Sequence, residues 1–225
     1  MIFISKRKIL VVEGLDGSGK KTQSLLLQKK LKSENCLAEL ISFPNYENKS
    51  SAFLKMYLNG EFGFSPGDTN PYAASSFFAI DRFINLKLKL ENEYKNSEII
   101  ICDRYTTSNI IYQMPKLEFN KWDSFLKWLE DFEYVRLGIP SPDVVVYLDM
   151  SIKLSDTLLK KRYGDDISKK DIHESDLKYL SLCQEAAYFA AEKFNWHIIR
   201  CYDNNDKIYS EKEISDQIFE CVKTN

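Results

Sequence analysis

The residues of this chain whose types and spacing most suggest chemistry form a glycine-rich loop near its start. The apolar run at residues 9–12 is followed by Glu-Gly-Leu-Asp-Gly-Ser-Gly-Lys-Lys-Thr-Gln, which contains the pattern G-x-x-x-x-G-K. Such glycines let backbone N–H groups surround an anion, a following helix directs its positive end at it, and the lysine reaches the outer phosphates. The loop therefore predicts a site for a nucleotide polyphosphate, formed by Gly14, Gly17, Ser18, Gly19, Lys20, Lys21 and Thr22.

The residue that follows the loop lysine is unusual. This position normally carries a Ser or Thr whose hydroxyl binds magnesium, whereas here it is Lys21, and Thr22 comes one residue later. Two interpretations stay open. Either the metal is held mainly through water and an acid elsewhere in the chain, or the loop binds a nucleotide without catalysing its reaction.

A second pair of chemically suggestive residues follows the apolar run at residues 99–102. Asp103 and Arg104 come directly after this run, at the carboxyl end of a predicted strand, where the ligands of open α/β sheets bind. Asp103 is placed to hold Mg²⁺ directly or through water, and the planar guanidinium of Arg104 offers a fork for a second phosphate. The pair predicts a metal site and an anion site beside the phosphate loop.

Five short apolar runs rich in β-branched residues indicate the strands that must position these side chains, at residues 9–12, 37–41, 99–102, 144–148 and 196–201. Between them, apolar residues recur every three or four positions, as in helices, for example at residues 25–31, 125–132 and 177–194. Alternating strands and helices predict an α/β fold with a five-stranded parallel sheet flanked by helices, as a single domain over residues 1–225. Two irregular segments, residues 59–71 and 163–172, are candidate mobile loops over a site.

Composition and charge exclude several classes of protein. With 225 residues, 44% of them hydrophobic, the chain has the composition of a packed globular protein and not of a disordered one. The 31 basic and 33 acidic residues give a net charge of -2, so there is no general positive field for nucleic acid. The five cysteines are widely spaced, which argues against a zinc site, and no apolar run is long enough to cross a membrane. We expect a cytoplasmic protein with reduced thiols.

Several ordered motifs carry a resemblance to a known family. The run from Asp103 to Gln113, Asp-Arg-Tyr-Thr-Thr-Ser-Asn-Ile-Ile-Tyr-Gln, resembles the D-R-Y-x-x-S-x-x-A-Y-Q signature of thymidylate kinases. Residues 13–16 resemble that family's E-G-x-D opening, residues 43–44 its F-P turn, residues 78–82 its F-x-x-x-R, and residues 137–143 its L-G-x-P-x-P-D. The match extends from about residue 8 to about residue 201.

This resemblance implies a fold and an activity. The fold is the three-layer P-loop NTPase fold with a short lid at approximately residues 160–173. The activity is transfer of the γ-phosphoryl of ATP to dTMP, with Mg²⁺, to give dTDP and ADP. Members of the family are usually homodimers, so the resemblance also implies a homodimer.

The resemblance further implies roles for individual residues. Phe78 is expected to stack on thymine and Arg82 to hydrogen-bond its carbonyl, while Asn109 and Tyr112 match positions that read the far edge of the base and close off space near the sugar 2′ carbon. The implied substrate-binding residues are Asp16, Phe43, Tyr46, Phe78, Arg82, Arg104, Ser108, Asn109, Tyr112 and Glu174. The implied catalytic residues are Lys20, Asp16, Asp103, Arg104 and Arg162, with Asp103 as the metal ligand.

Some assignments and alternatives stay open at this point. Gly17 stands where another subgroup of the family has an Arg, so the resemblance implies that a basic residue of the lid contacts ATP, and Arg162 is the candidate. Glu174 either contacts the sugar or a second metal or caps the next helix, and His173 stands where tyrosine is usual. The alternatives to thymidylate kinase activity are a related P-loop kinase for another nucleotide and a non-catalytic nucleotide-binding module.

Overall fold

The protein forms a five-stranded parallel sheet with helices on both faces. The computed structural model describes residues 8–92, 96–163, 173 and 176–223, without the side chains of residues 90–92, 162 and 163. The strands are β1 (Lys8–Gly14), β2 (Ala38–Ser42), β3 (Ile99–Asp103), β4 (Val144–Asp149) and β5 (His197–Arg200). They pair in the order β2-β3-β1-β4-β5, and every pair is parallel, as the sequence predicts.

Eight α-helices connect and follow these strands within the described residues. They are α1 (Lys20–Ser33), α2 (Ala52–Leu58), α3 (Pro71–Asn92), α4 (Thr107–Tyr112), α5 (Trp122–Glu130), α6 (Ile152–Tyr163), α7 (Leu177–Phe194) and α8 (Glu211–Lys223). The helix predicted at residues 125–132 ends as an α-helix at Glu130 and continues as a π-helical turn, Asp131–Arg136. The Leu137 N–H donates to the carbonyl of Phe132 five residues earlier, which is the hydrogen bond of a π-helix.

Two apolar clusters hold the three layers together, one on each face of the sheet. Successive residues of a strand point to opposite faces, so Leu10 and Val12 pack with α1 and α8 whereas Ile9 and Val11 pack with α4, α5 and α7. Strands covered in this way lack exposed faces, which is why their sequences are apolar nearly throughout.

Strand order also decides where a ligand can bind. β1 is central, and its neighbours β3 and β4 lie on opposite sides of it, so the chain changes direction across the sheet at β1. Val12 pairs with Asp103, which places the end of β3 directly beside the loop that follows β1. The carboxyl edge of the sheet at this point is the place where open α/β sheets bind their ligands.

Most of the predicted lid, residues 160–173, lies outside the residues that the structure describes. α6 ends at Tyr163, and among residues 164–175 the structure describes only His173. Residues 59–71, the other predicted loop, contain a short 3₁₀ turn, Pro66–Asp68, with a reciprocal hydrogen-bonded cap from Ser65 and Asp68. No helix in the described ranges is long and apolar enough to cross a membrane.

Candidate active site

A cleft of about 590 Å³ opens at the carboxyl edge of the sheet beside β1 and β3. Such a volume lies within the range of small-molecule sites. Its wall comes from the phosphate loop, the turn after β2, α2, α3, the end of β3, α4, and His173. The cleft gathers every predicted substrate-binding residue except Glu174: Asp16, Phe43, Tyr46, Phe78, Arg82, Arg104, Ser108, Asn109 and Tyr112.

The predicted phosphate loop connects β1 to α1. Gly19 has a left-handed backbone, with φ of 88°, and Lys20 is the first residue of α1, so the amino end of this helix faces the loop. Gly17, Gly19, Lys20 and Lys21 line the cleft, whereas Ser18 is buried beneath it. Backbone N–H groups at the start of a helix favour an anion, so the loop has the geometry of a phosphate cradle.

The position of Gly17 in the loop requires a glycine. Its φ of 81° is strained for any residue with a side chain, and a Cβ at this position would lie 2.6 Å from the carbonyl oxygen of Ser155 in α6. An arginine at this position, as in another subgroup of the resembled family, would therefore not fit against α6.

Lys20 is buried at the floor of the cleft. Its Nζ donates a hydrogen bond to the carbonyl oxygen of Leu15 at 2.8 Å and lies 3.9 Å from Asp16 Oδ1. Burial, assisted by the positive charge of Arg104, lowers the pKa of Lys20 to about 8. The lysine is thus a nearly desolvated charge, which interacts with a phosphate more strongly than an exposed one.

Arg104 and Asp16 form an ion pair at the phosphate end of the cleft. Arg104 Nη2 contacts Asp16 Oδ1, the Tyr112 hydroxyl donates to Asp16 Oδ2 at 2.9 Å, and the Arg104 guanidinium lies over the Tyr112 ring. Burial by itself would raise the pKa of the Asp16 carboxyl, but the charges of Arg104 and Lys20 outweigh it and hold that pKa well below its usual value. Asp16 is therefore a carboxylate throughout the physiological range.

Arg104 has an unusual backbone, and Glu13 stabilises the segment that follows it. Arg104 has φ of 65° in the left-handed region, a conformation that is uncommon for residues with side chains and is found preferentially at functional sites. The fully buried Glu13 carboxylate accepts from Tyr105 N–H at 3.1 Å, Thr107 Oγ1 at 2.7 Å and Ser108 Oγ at 2.8 Å. The predicted substrate ligand Ser108 thus lines the cleft with its hydroxyl held by Glu13.

The opposite end of the cleft has the residues predicted to read a base. Phe78 is only partly buried, lines the cleft, and makes a T-shaped contact with the Tyr57 ring at 6.2 Å between ring centroids. Arg82 is 2% exposed and forms a two-point ion pair with Glu133, at 2.7 Å and 3.1 Å. Asn109 is also buried and donates to Glu133 Oε1 at 2.9 Å.

The remaining predicted residues on this side come from the turn after β2. Phe43 is buried, its N–H donates to the carbonyl of Asp103 at 3.0 Å, and its ring lies against Tyr105. Tyr46 is half exposed at the mouth of the cleft. A phenol at that position can hydrogen-bond a phosphate but carries no charge.

The sequence interpretation gave no role to several residues of the site, among them Glu133, Gln113 and His173. Glu133 lies 51 residues from Arg82 in the chain, and no motif marks it. Gln113 lines the cleft, and its buried Nε2 makes no hydrogen bond in the part of the chain that the structure describes. His173, which received no role, is buried in the wall, stacks on Tyr112 and contacts the Tyr57 hydroxyl with Nε2 at 2.7 Å. Since Gln113 ends the D-R-Y signature, its place in the motif was the one available signal.

Asp103 is a carboxylate that lies where the sequence predicts a magnesium ligand. It lines the cleft at the end of β3, next to the phosphate loop. In the described residues no group of three or more His, Cys, Asp or Glu side chains could hold a metal ion. Mg²⁺ is commonly bound through one or two carboxylates together with substrate phosphates and water, so the chemistry of a single carboxylate at this place is compatible with such an ion.

Two predicted residues lie outside what the structure describes. The backbone of Arg162 belongs to α6, but its side chain is outside the described residues, and so is Glu174. Their roles stay predictions.

The relation to known proteins agrees with this geometry. A family model described as thymidylate kinase matches residues 12–211. The chain belongs to the thymidylate kinase family. The sequence resemblance and the predicted fold are thereby confirmed, and membership makes this chain a nucleotide kinase.

Individual relatives cover most of the chain. A thymidylate kinase of Plasmodium falciparum is 31% identical over 169 residues, which are 73% of this chain and 71% of the relative. A thymidylate kinase of Mycobacterium tuberculosis is 28% identical over 170 residues, 75% of this chain and 78% of the relative. A solved thymidylate kinase structure from Candida albicans superimposes with a TM-score of 0.71 at 22% identity, covering 97% of this chain and 92% of that one.

Proposed function

We propose that this protein transfers the γ-phosphoryl of ATP to the 5′-phosphate of dTMP, giving dTDP and ADP. The observation that supports this most directly is the continuity of the cleft. One wall joins the phosphate loop with Lys20, the Arg104–Asp16 pair, and the base-reading residues Phe78 and Arg82. A nucleoside monophosphate bound with its base against Phe78 would direct its phosphate toward Arg104 and the loop.

The protein groups contribute position and charge to this reaction. Phosphoryl transfer requires two anionic nucleotides held in line, with their charge neutralised as the phosphoryl group moves. Lys20 would bind the outer phosphates of ATP, and Arg104 would bind the acceptor phosphate. Asp16 would hold Arg104 and face the sugar, with Tyr112 restraining its carboxylate. No protein base is needed, because the acceptor phosphate is already an anion.

Magnesium would be held by Asp103 and the phosphates of ATP. When bound, it neutralises charge on the β- and γ-phosphates during transfer. The Ser or Thr that usually shares this work is Lys21 here, which is exposed at the edge of the cleft. We therefore propose that Asp103 is the main protein ligand of the ion, and that Arg162 of the lid contacts the transferring phosphoryl group.

The test is the release of ADP in a coupled assay with ATP and Mg²⁺, comparing dTMP, dUMP, dCMP, dGMP, UMP and thymidine at equal concentrations. We expect rapid turnover with dTMP, with dUMP second because it lacks only the methyl group. Fastest turnover with a different acceptor would assign the protein to another nucleotide. Binding of ATP without turnover of any acceptor would identify a non-catalytic module.

A homodimer is also part of the proposed function. Phe77, Ile80, Ile84 and Leu88 recur on one side of α3 and are partly or largely exposed, next to the exposed Phe53. Such an apolar stripe suits a helix-packed interface with a second copy of the chain. We expect Ile80→Asp to convert a dimer into a monomer in light scattering. The exposed Lys127→Asp on α5 is the control, and a dimeric Ile80→Asp protein would contradict the proposal.

We further propose the cytoplasm as the location. Cys36, Cys102, Cys183 and Cys201 form no disulfide within the described residues, as in proteins of reducing compartments.

A further inference from the structure

Glu133 connects the two residues that line the base end of the cleft. Its Oε2 accepts from Arg82 Nε at 2.7 Å, and its Oε1 accepts from Arg82 Nη2 at 3.1 Å and from Asn109 Nδ2 at 2.9 Å. Arg82 and Asn109 line the cleft, whereas Glu133 lies behind them and is fully buried. One carboxylate therefore decides how both side chains present their polar atoms to a ligand.

Glu133 fixes the direction of the Asn109 amide. Asn109 Nδ2 donates to Glu133 Oε1 and also to the carbonyl oxygen of Ser75 at 3.2 Å. If the amide were turned over, its oxygen would face two acceptors without a proton between them, which is strongly unfavourable in a buried site. Within the described residues nothing donates to Asn109 Oδ1, so this oxygen is an acceptor that remains for a ligand.

Glu133 has the complementary effect on Arg82. The carboxylate uses the Nε–H and one Nη2–H, and the guanidinium packs near the rings of Phe43 and Tyr105, at 5.8 Å and 5.6 Å. The remaining N–H groups, including both on Nη1, can only donate. The base end of the cleft thus presents a fixed donor from Arg82 beside a fixed acceptor from Asn109.

We propose that Glu133 is a specificity-determining positioning residue, which sets this donor–acceptor order so that the cleft accepts a pyrimidine-2,4-dione and rejects a 4-aminopyrimidine. This proposal rests on the proposed function. Thymine and uracil offer a carbonyl acceptor at position 4 and an N–H donor at position 3, which match Arg82 and Asn109 Oδ1. Cytosine offers the reverse, an amino donor and a ring-nitrogen acceptor, so both pairs would be mismatched.

A single substitution separates this role from a purely structural one. Glu133→Gln has nearly the same shape, but its amide can no longer accept from both side chains. Its Nε2 faces an N–H of Arg82 in place of either oxygen. Where Nε2 replaces Oε1 it also faces Asn109 Nδ2, so that the Asn109 amide is opposed only by the Ser75 carbonyl when it turns over. The turned amide would bring Nδ2 to the cleft and favour cytosine. We expect the ratio of kcat/KM for dTMP to that for dCMP to fall roughly 10- to 100-fold, because unpaired buried polar groups dominate such discrimination.

The controls test whether the effect is confined to this edge of the base. The ratio of dTMP to dUMP should stay within about two-fold in Glu133→Gln, because these bases differ only by a methyl group that this edge does not contact. Asp131→Asn removes an exposed carboxylate that pairs with Arg136 in the same π-helical turn, and it should leave both ratios unchanged. A uniform loss of activity with an unaltered dTMP to dCMP ratio in folded Glu133→Gln would overturn the proposal.

A second variant tests the proposal if Glu133→Gln does not fold. Glu133→Asp keeps the negative charge opposite Arg82, but its shorter side chain cannot reach both partners, so the same ratio should fall by a smaller factor. An unchanged ratio in folded Glu133→Asp would also overturn the proposal. If the unmodified protein phosphorylates neither nucleotide, the proposed function fails separately. Calorimetric affinities for dTMP and dCMP in the protein and its variants would then test Glu133 on the same ratio.

Discussion

Two arginine–carboxylate pairs lie at opposite ends of one cleft and differ in how far they are removed from water. The Arg82–Glu133 side chains are 2% and 0% exposed, and protein donors occupy both oxygens of the carboxylate. The Arg104–Asp16 side chains are 17% and 23% exposed, and Asp16 is shared among Arg104, Tyr112 and Lys20. Protein groups thus occupy the first pair fully, whereas the second pair is partly open to the cleft at the place where we propose that a phosphate binds.

The difference separates two tasks that use the same chemical groups. Recognition of a base requires polar atoms held in one orientation, which a buried pair supplies because every alternative leaves a charge unpaired. Binding of a phosphate that changes its charge during the reaction requires cations that remain reachable. We propose that Arg104 meets that need, since a partly exposed ion pair loses little when one partner is replaced by phosphate.

The largest expected effect is a loss of stability in a variant that breaks the buried Arg82–Glu133 pair. Arg82→Met leaves the Glu133 carboxylate buried without its cation, so the free energy of unfolding should fall by about 3–5 kcal/mol in urea titrations. Arg136→Met is the matched control, because Arg136 pairs with Asp131 in the same turn but is 71% exposed. The control should change stability by less than about 1 kcal/mol. Equal losses of unfolding free energy in Arg82→Met and Arg136→Met would contradict the view that burial makes the Arg82–Glu133 pair costly to break.

The second prediction concerns the partly exposed pair and should affect catalysis more than folding. Arg104→Met removes the main charge for the acceptor phosphate, so kcat/KM for dTMP should fall roughly 10²- to 10³-fold. Lys20 and Tyr112 still hold Asp16, so unfolding free energy should fall by less than about 2 kcal/mol. A loss of stability as large as that of Arg82→Met, measured in the same titration, would contradict the comparison.

A third prediction concerns how activity depends on pH through Lys20, at the phosphate end of the cleft. Because the pKa of Lys20 is lowered to about 8, kcat/KM should decline as the pH rises above that value and the lysine loses its charge. The decline should approach ten-fold per pH unit. In Lys20→Arg the guanidinium does not titrate in this range, so any residual activity should have a flatter profile. Identical alkaline limbs in the two proteins would exclude Lys20 as the titrating group.

The stability of the protein should respond to Lys20 in the opposite direction. Between about pH 8 and the lysine's usual pKa of 10.5, the unfolded chain binds a proton that the folded protein does not. Stability contributed by this site therefore rises with pH in that window while activity falls. Asp16, whose pKa is lowered, contributes stability that is lost only as the pH falls below the carboxyl's usual range.

The smallest expected effect concerns the metal. Lys21 is exposed at the edge of the cleft, so Lys21→Ser should fold normally and supply the hydroxyl that such loops usually provide. The Mg²⁺ concentration for half-maximal activity should fall by a few-fold, with little change in kcat at saturating metal. Asp103→Asn should raise the same Mg²⁺ concentration by a larger factor. If neither variant changes this concentration, Asp103 is not the main protein ligand of the ion.

Much of the sheet and the phosphate end could be predicted from the sequence, for a local reason. The loop from Gly14 to Lys20 and the pair Asp103–Arg104 each follow an apolar run, and parallel strands bring their carboxyl ends to one edge. Short-range pattern and strand direction together therefore place these residues near one another. The left-handed backbone of Arg104 was not predictable, because it depends on the buried Glu13 carboxylate that holds the following residues.

The base end was only half predictable. Phe78 and Arg82 could be identified from their four-residue spacing on a helix and a family motif, but the partner of Arg82 could not. Glu133 lies seven residues after the buried Leu126 and four after the buried Leu129, so a regular helical period already directs it to the buried face of α5. The period does not show which cation pairs with this carboxylate, because Arg82 lies 51 residues away on another helix. The π-helical turn at Asp131–Arg136 was not predicted either, because a change of helix type depends on tertiary packing.

That π-helical turn makes the length of this segment as consequential as its residues. Removing residue 131 or 132 would bring Glu133 one position closer to α5, and each residue of a regular helix adds about 100° of rotation. The Glu133 side chain would then point away from Arg82 although its own codon was unchanged. Insertions and deletions before Glu133 should thus be tolerated far less than substitutions of the exposed positions in this stretch. The number of residues here, and not only their identity, sets the direction of the Glu133 side chain.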